Sequence, residues 1–147
     1  MMKKTIWITG GSTGIGKALA IKFANEGWNV AISARRENLL KELSEKFENI
    51  YDFSLDVTNK NDCKIIFDQI LEKFGGVDIC FFSTGTWDPK KEKDIDVEQI
   101  ENVFRVNFFG TLNSIKAVEK YFKDKKSGII TIAVSYTHLT LPTNTPV

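Results

Sequence analysis

Short apolar segments alternate with amphipathic stretches along this chain, and that alternation constrains the fold more than any other feature. The apolar segments are rich in β-branched and aromatic residues, which favours strands at 5–9, 29–34, 50–55, 77–82 and 128–133. Between them, apolar residues recur with helical spacing over 15–26, 37–47, 61–74 and 97–122. Strands joined by helical crossovers form a parallel sheet covered on both faces. The sequence therefore predicts a doubly wound α/β domain of about five strands.

The size and charge of the chain exclude several classes of protein. Its 147 residues are enough for one compact domain. Twenty basic and nineteen acidic residues are interleaved, which provides no patch for nucleic acid or an anionic membrane. No apolar run approaches the roughly 18 residues of a membrane span, and the run after the basic N-terminus is too short for a signal peptide. We therefore expect a small-molecule partner.

The two cysteines bear on compartment and metal binding. Cys63 and Cys80 lack the spacing of metal ligands, and one of them falls in an apolar segment that resembles a strand. We therefore expect no metal site and a reduced protein of the cytoplasm.

A glycine-rich turn, Thr-Gly-Gly-Ser-Thr-Gly-Ile-Gly, spans 9–16 between the first strand and the first helix. Glycine is needed where the chain turns tightly, where backbone approaches a pyrophosphate and where helix packs on strand. The N–H groups at the start of the helix are available to an anion. The glycines indicate a phosphate-binding turn, although on their own they also fit an ordinary turn between a strand and a helix.

The amino-acid sequence of this turn resembles the cofactor turn of the short-chain dehydrogenases/reductases. Asp56 and Val57, after the third strand, resemble the adenine-contacting pair of that family, and Asn107 within Val-Asn-Phe-Phe-Gly-Thr resembles its helix asparagine. The resemblance implies a Rossmann-type dinucleotide-binding domain over 1–133 that stops before the later strands of the family. It implies these cofactor-binding residues: Gly10, Ser12, Thr13, Gly14, Ile15, Gly16, Arg35, Arg36, Asp56, Val57 and Gly85.

Charge at the end of the second strand indicates which coenzyme is bound. An NAD site usually places an acid there to accept hydrogen bonds from the ribose 2′-hydroxyl, whereas a 2′-phosphate favours a guanidinium. By the resemblance, Ala34 stands where the acid would be and Arg35 where NADP-preferring members carry a basic residue. We therefore expect NADP(H) rather than NAD(H). The alternative is that Arg35 and Arg36 are solvated charges at the start of a helix.

The turn after the fourth strand departs from the family pattern. Asn-Asn-Ala-Gly is replaced by Phe82-Ser83-Thr84-Gly85, which keeps the glycine and loses both asparagines. The two hydroxyls can satisfy nearby backbone groups instead. Trp87 either lines a substrate site or packs on its own domain.

The catalytic set of the family is mostly missing. The resemblance implies a tyrosine as general acid/base, a lysine four residues later, a serine, and the helix asparagine in a supporting role, here Asn107. Ser135 falls about where the serine is expected, but Tyr136 is too close to it and Thr140 stands where the lysine belongs. Tyr121 and Lys125 have the right spacing but precede the fifth strand, and we expect them to be part of a solvated basic helix end.

The final segment, 134–147, differs from the rest in composition. It has no charged residue, yet it holds the single histidine, His138, and two of the three prolines. Residues 134–143 match at every position the translation of gtc tct tat aca cat ctg acg ctg ccg acg, which resembles a transposase-type sequencing adapter. We expect 134–147 to be a non-native, disordered tail in which Ser135 and His138 have no role. The alternative is a genuine polar tail.

Together these features predict a fragment of an NADP(H)-dependent oxidoreductase that reduces a carbonyl or oxidises a secondary alcohol. The resemblance implies a homo-oligomer for the full-length protein. A second reading is a non-catalytic NADP(H)-binding module or sensor. A third is a chain that folds poorly, because the strand at 128–133 would leave an exposed edge prone to aggregation.

Overall fold

The computed structural model describes residues 3–87 and 96–133. Within these ranges the strands form one parallel sheet in the order β3-β2-β1-β4-β5. The strands are β1 (Thr5–Thr9), β2 (Asn29–Ala34), β3 (Ile50–Ser54), β4 (Ile79–Phe82) and β5 (Ile129–Ile132). The predicted doubly wound α/β class is confirmed, and the strand predictions differ from the structure by two residues at most. Residues 134–147, including Ser135, lie outside the described residues.

The helices alternate with the strands along the chain, as expected, and pack on the two faces of the sheet. They are α1 (Gly14–Asn25), α2 (Glu37–Ser44), α3 (Lys60–Phe74), α4 (Val97–Val103) and α5 (Gly110–Lys125). The predicted helical stretch over 97–122 is helical in the structure, and within it a π-helical segment (Phe104–Phe109) separates α4 from α5. Insertions of this kind change the backbone hydrogen-bond pattern locally and are often found at functional sites.

Local signals set several helix ends. The side chain of Asn59 accepts hydrogen bonds from the N–H groups of Asn61 and Asp62, so α3 begins at Lys60, one residue earlier than expected. Gly75, with φ of 74°, ends the same helix. The second helix stops at Ser44 rather than at 47, and Phe47, beyond its end, packs against the apolar core.

Each face of the sheet carries its own apolar core. On one face, Trp7, Cys80 and Phe82 pack against side chains of α3 and α5. Trp7 stacks on Phe67 and meets Phe82 edge-on, each with ring centroids 5.6 Å apart. The other face packs Ile6, Ile8, Val30 and Ile32 against α1 and α2. Because every residue of β1 is buried, this central strand supports both cores.

The β5 edge is exposed, in contrast to β1. All four of its residues are exposed, and Ile129 retains 56% of its accessible surface. The aggregation expected from this edge stays a prediction. Across the described ranges, no helix is long and apolar enough to cross a membrane.

Candidate cofactor site

A cavity of about 1240 Å³ opens at the carboxyl ends of the strands. It lies beside β1, which has β2 on one side and β4 on the other. The order of the strands reverses at this point of the sheet, and ligands of doubly wound sheets bind where such a reversal occurs. The residues that the sequence predicted for the site all line this one cavity: Gly10, Ser12, Thr13, Gly14, Ile15, Gly16, Arg35, Arg36, Asp56, Val57, Gly85 and Asn107.

The glycine turn is anchored to the neighbouring strand and leaves no room for side chains at two positions. The N–H groups of Gly10 and Gly11 both donate to the carbonyl of Ser33, at 2.8 and 3.1 Å. A Cβ on Gly16 would lie 2.3 Å from the oxygen of Gly10, and one on Gly10 would lie 2.7 Å from the oxygen of Ser83. The absence of side chains therefore lets the turn, α1 and the loop after β4 meet at the floor of the cavity.

The start of α1 has the features of an anion site. Its N-cap residue, Thr13, makes no capping hydrogen bond with its side chain, and the first turn contains no acid. Instead, the Thr13 hydroxyl accepts a hydrogen bond from Nη2 of Arg36 at 3.1 Å. The first N–H groups of a helix have no intrahelical partner and carry the positive end of its dipole. The turn can therefore receive a phosphate beside a guanidinium.

Asp56 is held ionised next to the arginines. Its Oδ1 accepts hydrogen bonds from the N–H of Thr58 at 2.9 Å and from the Thr58 hydroxyl at 2.8 Å. Partial burial opposes ionisation, but these hydrogen bonds and the charge of Arg35 outweigh it and lower the pKa of Asp56 below 3.8. One carboxylate, Asp56, and two guanidinium groups, Arg35 and Arg36, line this end of the cavity, so its net charge is positive.

Asn107 holds the loop that follows β4. Its Oδ1 accepts a hydrogen bond from the N–H of Thr86 at 2.7 Å, and its Nδ2 donates to the carbonyl of Thr86 at 3.0 Å. A Cβ on Gly85 would lie 3.6 Å from the same Oδ1. Because both amide atoms are used by backbone groups, the side chain acts by positioning this loop.

The altered turn at 82–85 is explained in part by packing. Phe82 is buried in the core against Trp7, where an asparagine would bring an unpaired amide. The Ser83 hydroxyl donates to the carbonyl of Thr9 at 2.8 Å, as the sequence led us to expect. The same expectation is wrong for Thr84, whose Oγ1 is buried and has no hydrogen-bond partner among the described residues.

An apolar wall of the cavity was missed by sequence reasoning. It comes from the end of α4, the π-helical segment and the first half of α5, and its side chains are Val103, Phe104, Val106, Phe108, Leu112 and Ile115. Their spacing is that of any amphipathic helix, so the sequence offers no signal that separates a ligand-facing side chain from a core one. Trp87 also lines the cavity, and 62% of its surface remains exposed.

Tyr121 and Lys125 lie at the opposite end of the sheet. The Tyr121 hydroxyl accepts a hydrogen bond from the N–H of Val77 at 3.0 Å, just before β4 begins. Lys125 Nζ donates to the carbonyl of Val77 at 2.7 Å and to Oδ1 of Asp78 at 3.0 Å. The expectation of a merely solvated helix end is wrong for these two residues, because they attach α5 to the segment that leads into β4. They remain remote from the cavity.

Comparison with known proteins gives consistent matches. The family model described as short chain dehydrogenase matches residues 4–146. Glucose 1-dehydrogenase of Gluconobacter oxydans is 29% identical over 144 residues, which cover 95% of this chain and 54% of that protein. The (S)-acetoin-forming diacetyl reductase of Staphylococcus epidermidis is 33% identical over 139 residues, covering 91% and 54%.

A solved structure, ElxO with NADP bound, superposes with a TM-score of 0.79 at 29% identity, covering 89% of this chain and 55% of that one. The chain spans about half the length of the curated relatives it matches.

Proposed function

This chain belongs to the short-chain dehydrogenase family, and on that premise we propose that its cavity binds a nicotinamide dinucleotide with a preference for NADP(H). One observation carries the proposal: the uncapped start of α1 and the guanidinium groups of Arg35 and Arg36 line the same cavity. A helix start without an acid suits a pyrophosphate, and a second anionic group is best matched by guanidinium donors.

The roles of the lining residues follow from their chemistry. Gly10, Gly14 and Gly16 would admit the pyrophosphate to the backbone, with the Ser12, Thr13 and Ile15 segment supplying hydroxyl and N–H groups. Arg35 would receive the 2′-phosphate, while Arg36 orients the Thr13 hydroxyl. Asp56 and Val57 would hold adenine. The fit is supported by the space left at Gly10 and Gly16, where any Cβ would collide with backbone.

For the whole protein we propose carbonyl reduction or secondary alcohol oxidation with NADP(H). The relatives named as a glucose dehydrogenase and a diacetyl reductase, and the NADP bound to ElxO, support a small oxygenated substrate and this coenzyme. A bound nicotinamide would supply or accept the hydride. Asn107 would keep the loop after β4 in place, and the tyrosine, lysine and serine of the reaction would come from outside the described residues.

Three further properties belong to the same proposal. Residues 1–133 form the dinucleotide-binding unit. The protein is a homo-oligomer, which the exposed Ile100 and Phe109 support, since they lie outside the cavity lining and such side chains favour a protein partner. It works in the cytoplasm, where its two buried free thiols would stay reduced.

The second candidate function is a non-catalytic NADP(H)-binding module. Two observations favour it. The predicted cofactor-binding residues all line the cavity, and within the described ranges that lining contains no tyrosine and lysine pair. NADPH-dependent reduction of a carbonyl panel by the full-length natural protein decides between the two. Turnover supports the enzyme, and binding without turnover supports the module.

The binding proposal is tested by titrating the 147-residue chain with NADPH and NADH while following tryptophan fluorescence, since Trp87 lines the cavity. We expect tighter binding of NADPH. Because hydrogen bonds to charged groups contribute about 1.5–3 kcal/mol, Arg35→Ala should weaken NADPH by about 10- to 150-fold and NADH only slightly.

Arg105→Ala is the matched control, since this exposed arginine is not among the lining residues and its loss removes the same charge. Failure of the folded chain to bind NADPH, or an equal loss for both coenzymes in Arg35→Ala, would contradict the proposal.

A further inference from the structure

Helix α5 is attached to the turn that follows β3 through two of its residues, Gly110 and Asn113, that do not line the cavity. Asn113 Nδ2 donates to the carbonyl oxygen of Val57 at 2.9 Å and lies 3.4 Å from that of Thr58. One turn earlier on the helix, Gly110 receives the Val57 side chain, since a Cβ there would be 2.5 Å from Val57 Cγ2. Both the carbonyl group and the side chain of Val57 are therefore held by α5.

The turn leaves β3 at Leu55, whose N–H donates to the carbonyl of Ala34 in β2 at 3.0 Å, and beyond this residue its other hydrogen bonds are local. Thr58 donates to the Asp56 carboxylate, and the N–H of Asn59 donates to the Asp56 carbonyl at 3.0 Å. Cys63 Sγ lies 3.6 Å from the Val57 oxygen, six residues along the chain. Local bonds of this kind set the shape of the turn, but beyond Leu55 they do not tie its backbone to an element distant along the chain. The bond from Asn113 joins residues 56 positions apart and therefore sets where the turn lies.

The same helical region also positions the opposite side of the cavity. Asn107 holds both backbone groups of Thr86 in the loop after β4. The loops after β3 and β4 are thus both held by one continuous helical region, the first through Asn113 in α5 and the second through Asn107 in the π-helical segment. A change at Asn113 would displace the first loop and leave the second in place.

We propose that Asn113 is a positioning residue for the adenine half of the bound dinucleotide. This inference rests on the proposed function, because it needs Asp56 and Val57 to contact adenine. The amide N–H of Asn113 fixes the turn that carries these two residues, and without that donor the turn loses its fixed distance to the phosphate-binding glycines. Asn113 is not among the residues that line the cavity, so the effect would be transmitted through the backbone of Val57 and Thr58.

The test is Asn113→Asp, which keeps the size of the side chain but replaces the N–H donor with an oxygen facing two carbonyl oxygens. We expect the dissociation constants of NADPH and NADH to rise by the same factor, about three- to tenfold, because both coenzymes carry adenine. The fragment 2′,5′-ADP, which contains the adenine half and lacks nicotinamide, should lose affinity by that factor too. Asn113→Ala provides the same measurement if the aspartate variant does not fold.

Asn49→Asp is the matched control. Asn49 Nδ2 likewise bridges two backbone carbonyls, of Ala24 and Trp28, each at 2.8 Å, but it lies at the amino end of β3, away from the cavity. We expect the two variants to lose similar stability in urea, and only the Asn113 variant to lose affinity for the nucleotides.

Three outcomes would overturn the inference, and they are distinguishable. If wild type binds NADPH and both Asn113 variants bind it equally well, Asn113 has no positioning role and the proposed function stands. If Asn49→Asp weakens binding as much, the effect is general destabilisation. If the folded wild-type chain binds neither coenzyme, the proposed function fails and the inference fails with it.

Discussion

Replacing Gly110 with alanine tests the contact between α5 and the turn after β3. Gly110 has φ of −61° and ψ of −40°, which is ordinary helical backbone, so alanine adds no strain there. At an open helical position this change would stabilise the protein by about 0.8–1.0 kcal/mol. Here the new Cβ would lie 2.5 Å from Cγ2 and 3.2 Å from Cβ of Val57. Unbonded carbons pack at about 3.5–4.0 Å, so one group must move by about 1 Å.

The magnitude follows from the two opposing effects. Overpacking costs about 1–3 kcal/mol, and the gain in helix propensity offsets about 1 kcal/mol of that. The free energy of unfolding should therefore fall by about 0–2 kcal/mol in Gly110→Ala. Since displacement of Val57 moves the turn, affinity for NADPH should fall as well. Val57→Ala removes the colliding methyl and should by itself cost about 1–3 kcal/mol, because the valine side chain is buried.

The double variant, Gly110→Ala with Val57→Ala, tests whether the two side chains compete for the same space. The methyl group that Gly110→Ala introduces would occupy space vacated by the Val57 side chain, so the two changes should be coupled favourably by about 1–3 kcal/mol. Urea unfolding of the wild type, both single variants and the double variant measures this coupling. A Gly110→Ala protein more stable than wild type by about 1 kcal/mol would refute the reasoning. So would effects that add within about 0.5 kcal/mol.

Two further predictions concern titratable groups. Partial burial opposes ionisation of Asp78, but the N–H of Thr5 and the ammonium of Lys125 outweigh it and lower its pKa below 3.8. A carboxyl whose pKa is lowered by folding contributes stability above about pH 4, and this stability is lost as the pH falls through the folded pKa. The free energy of unfolding of Asp78→Asn, measured in urea, should therefore be lower than that of wild type at pH 7 and approach it near pH 3. A constant difference between pH 7 and 3 would contradict this assignment. Burial raises the pKa of Cys63 to about 11 and also raises that of the Cys80 thiol, so Ellman's reagent at pH 8 should label neither in the folded chain and both in guanidinium. Rapid labelling of the native protein would show that these thiols are accessible.

The elements with strong local signals were predicted well from sequence. Periodicity and turn residues located each strand to within two residues, and Gly75 ended α3 where expected. The π-helical segment at Phe104–Phe109 was not predictable in this way, because its residues have ordinary helical spacing. Within it, the carbonyl of Asn107 accepts a hydrogen bond from the Thr111 hydroxyl at 2.8 Å.

The candidate site shows the same division. Its glycines, its arginines and Asp56 were identified because each has a chemistry that a spacing or a family pattern reveals. Asn113 was missed, since a polar residue on a helix carries no mark of what it touches. Thr84 was assigned a satisfied hydroxyl, and the structure leaves that oxygen without a partner in the described part of the chain.

By itself the sequence determined the parallel α/β arrangement and the position of the phosphate-binding turn, because alternation and glycine placement are local properties of the chain. Only the tertiary structure decided that Asn113 holds Val57, 56 residues away, and that Tyr121 holds Val77, 44 residues away. These pairings depend on how helices lie against a sheet after both have formed. Local conformational preferences do not determine which residues so far apart in the sequence come into contact. Packing in the folded protein does.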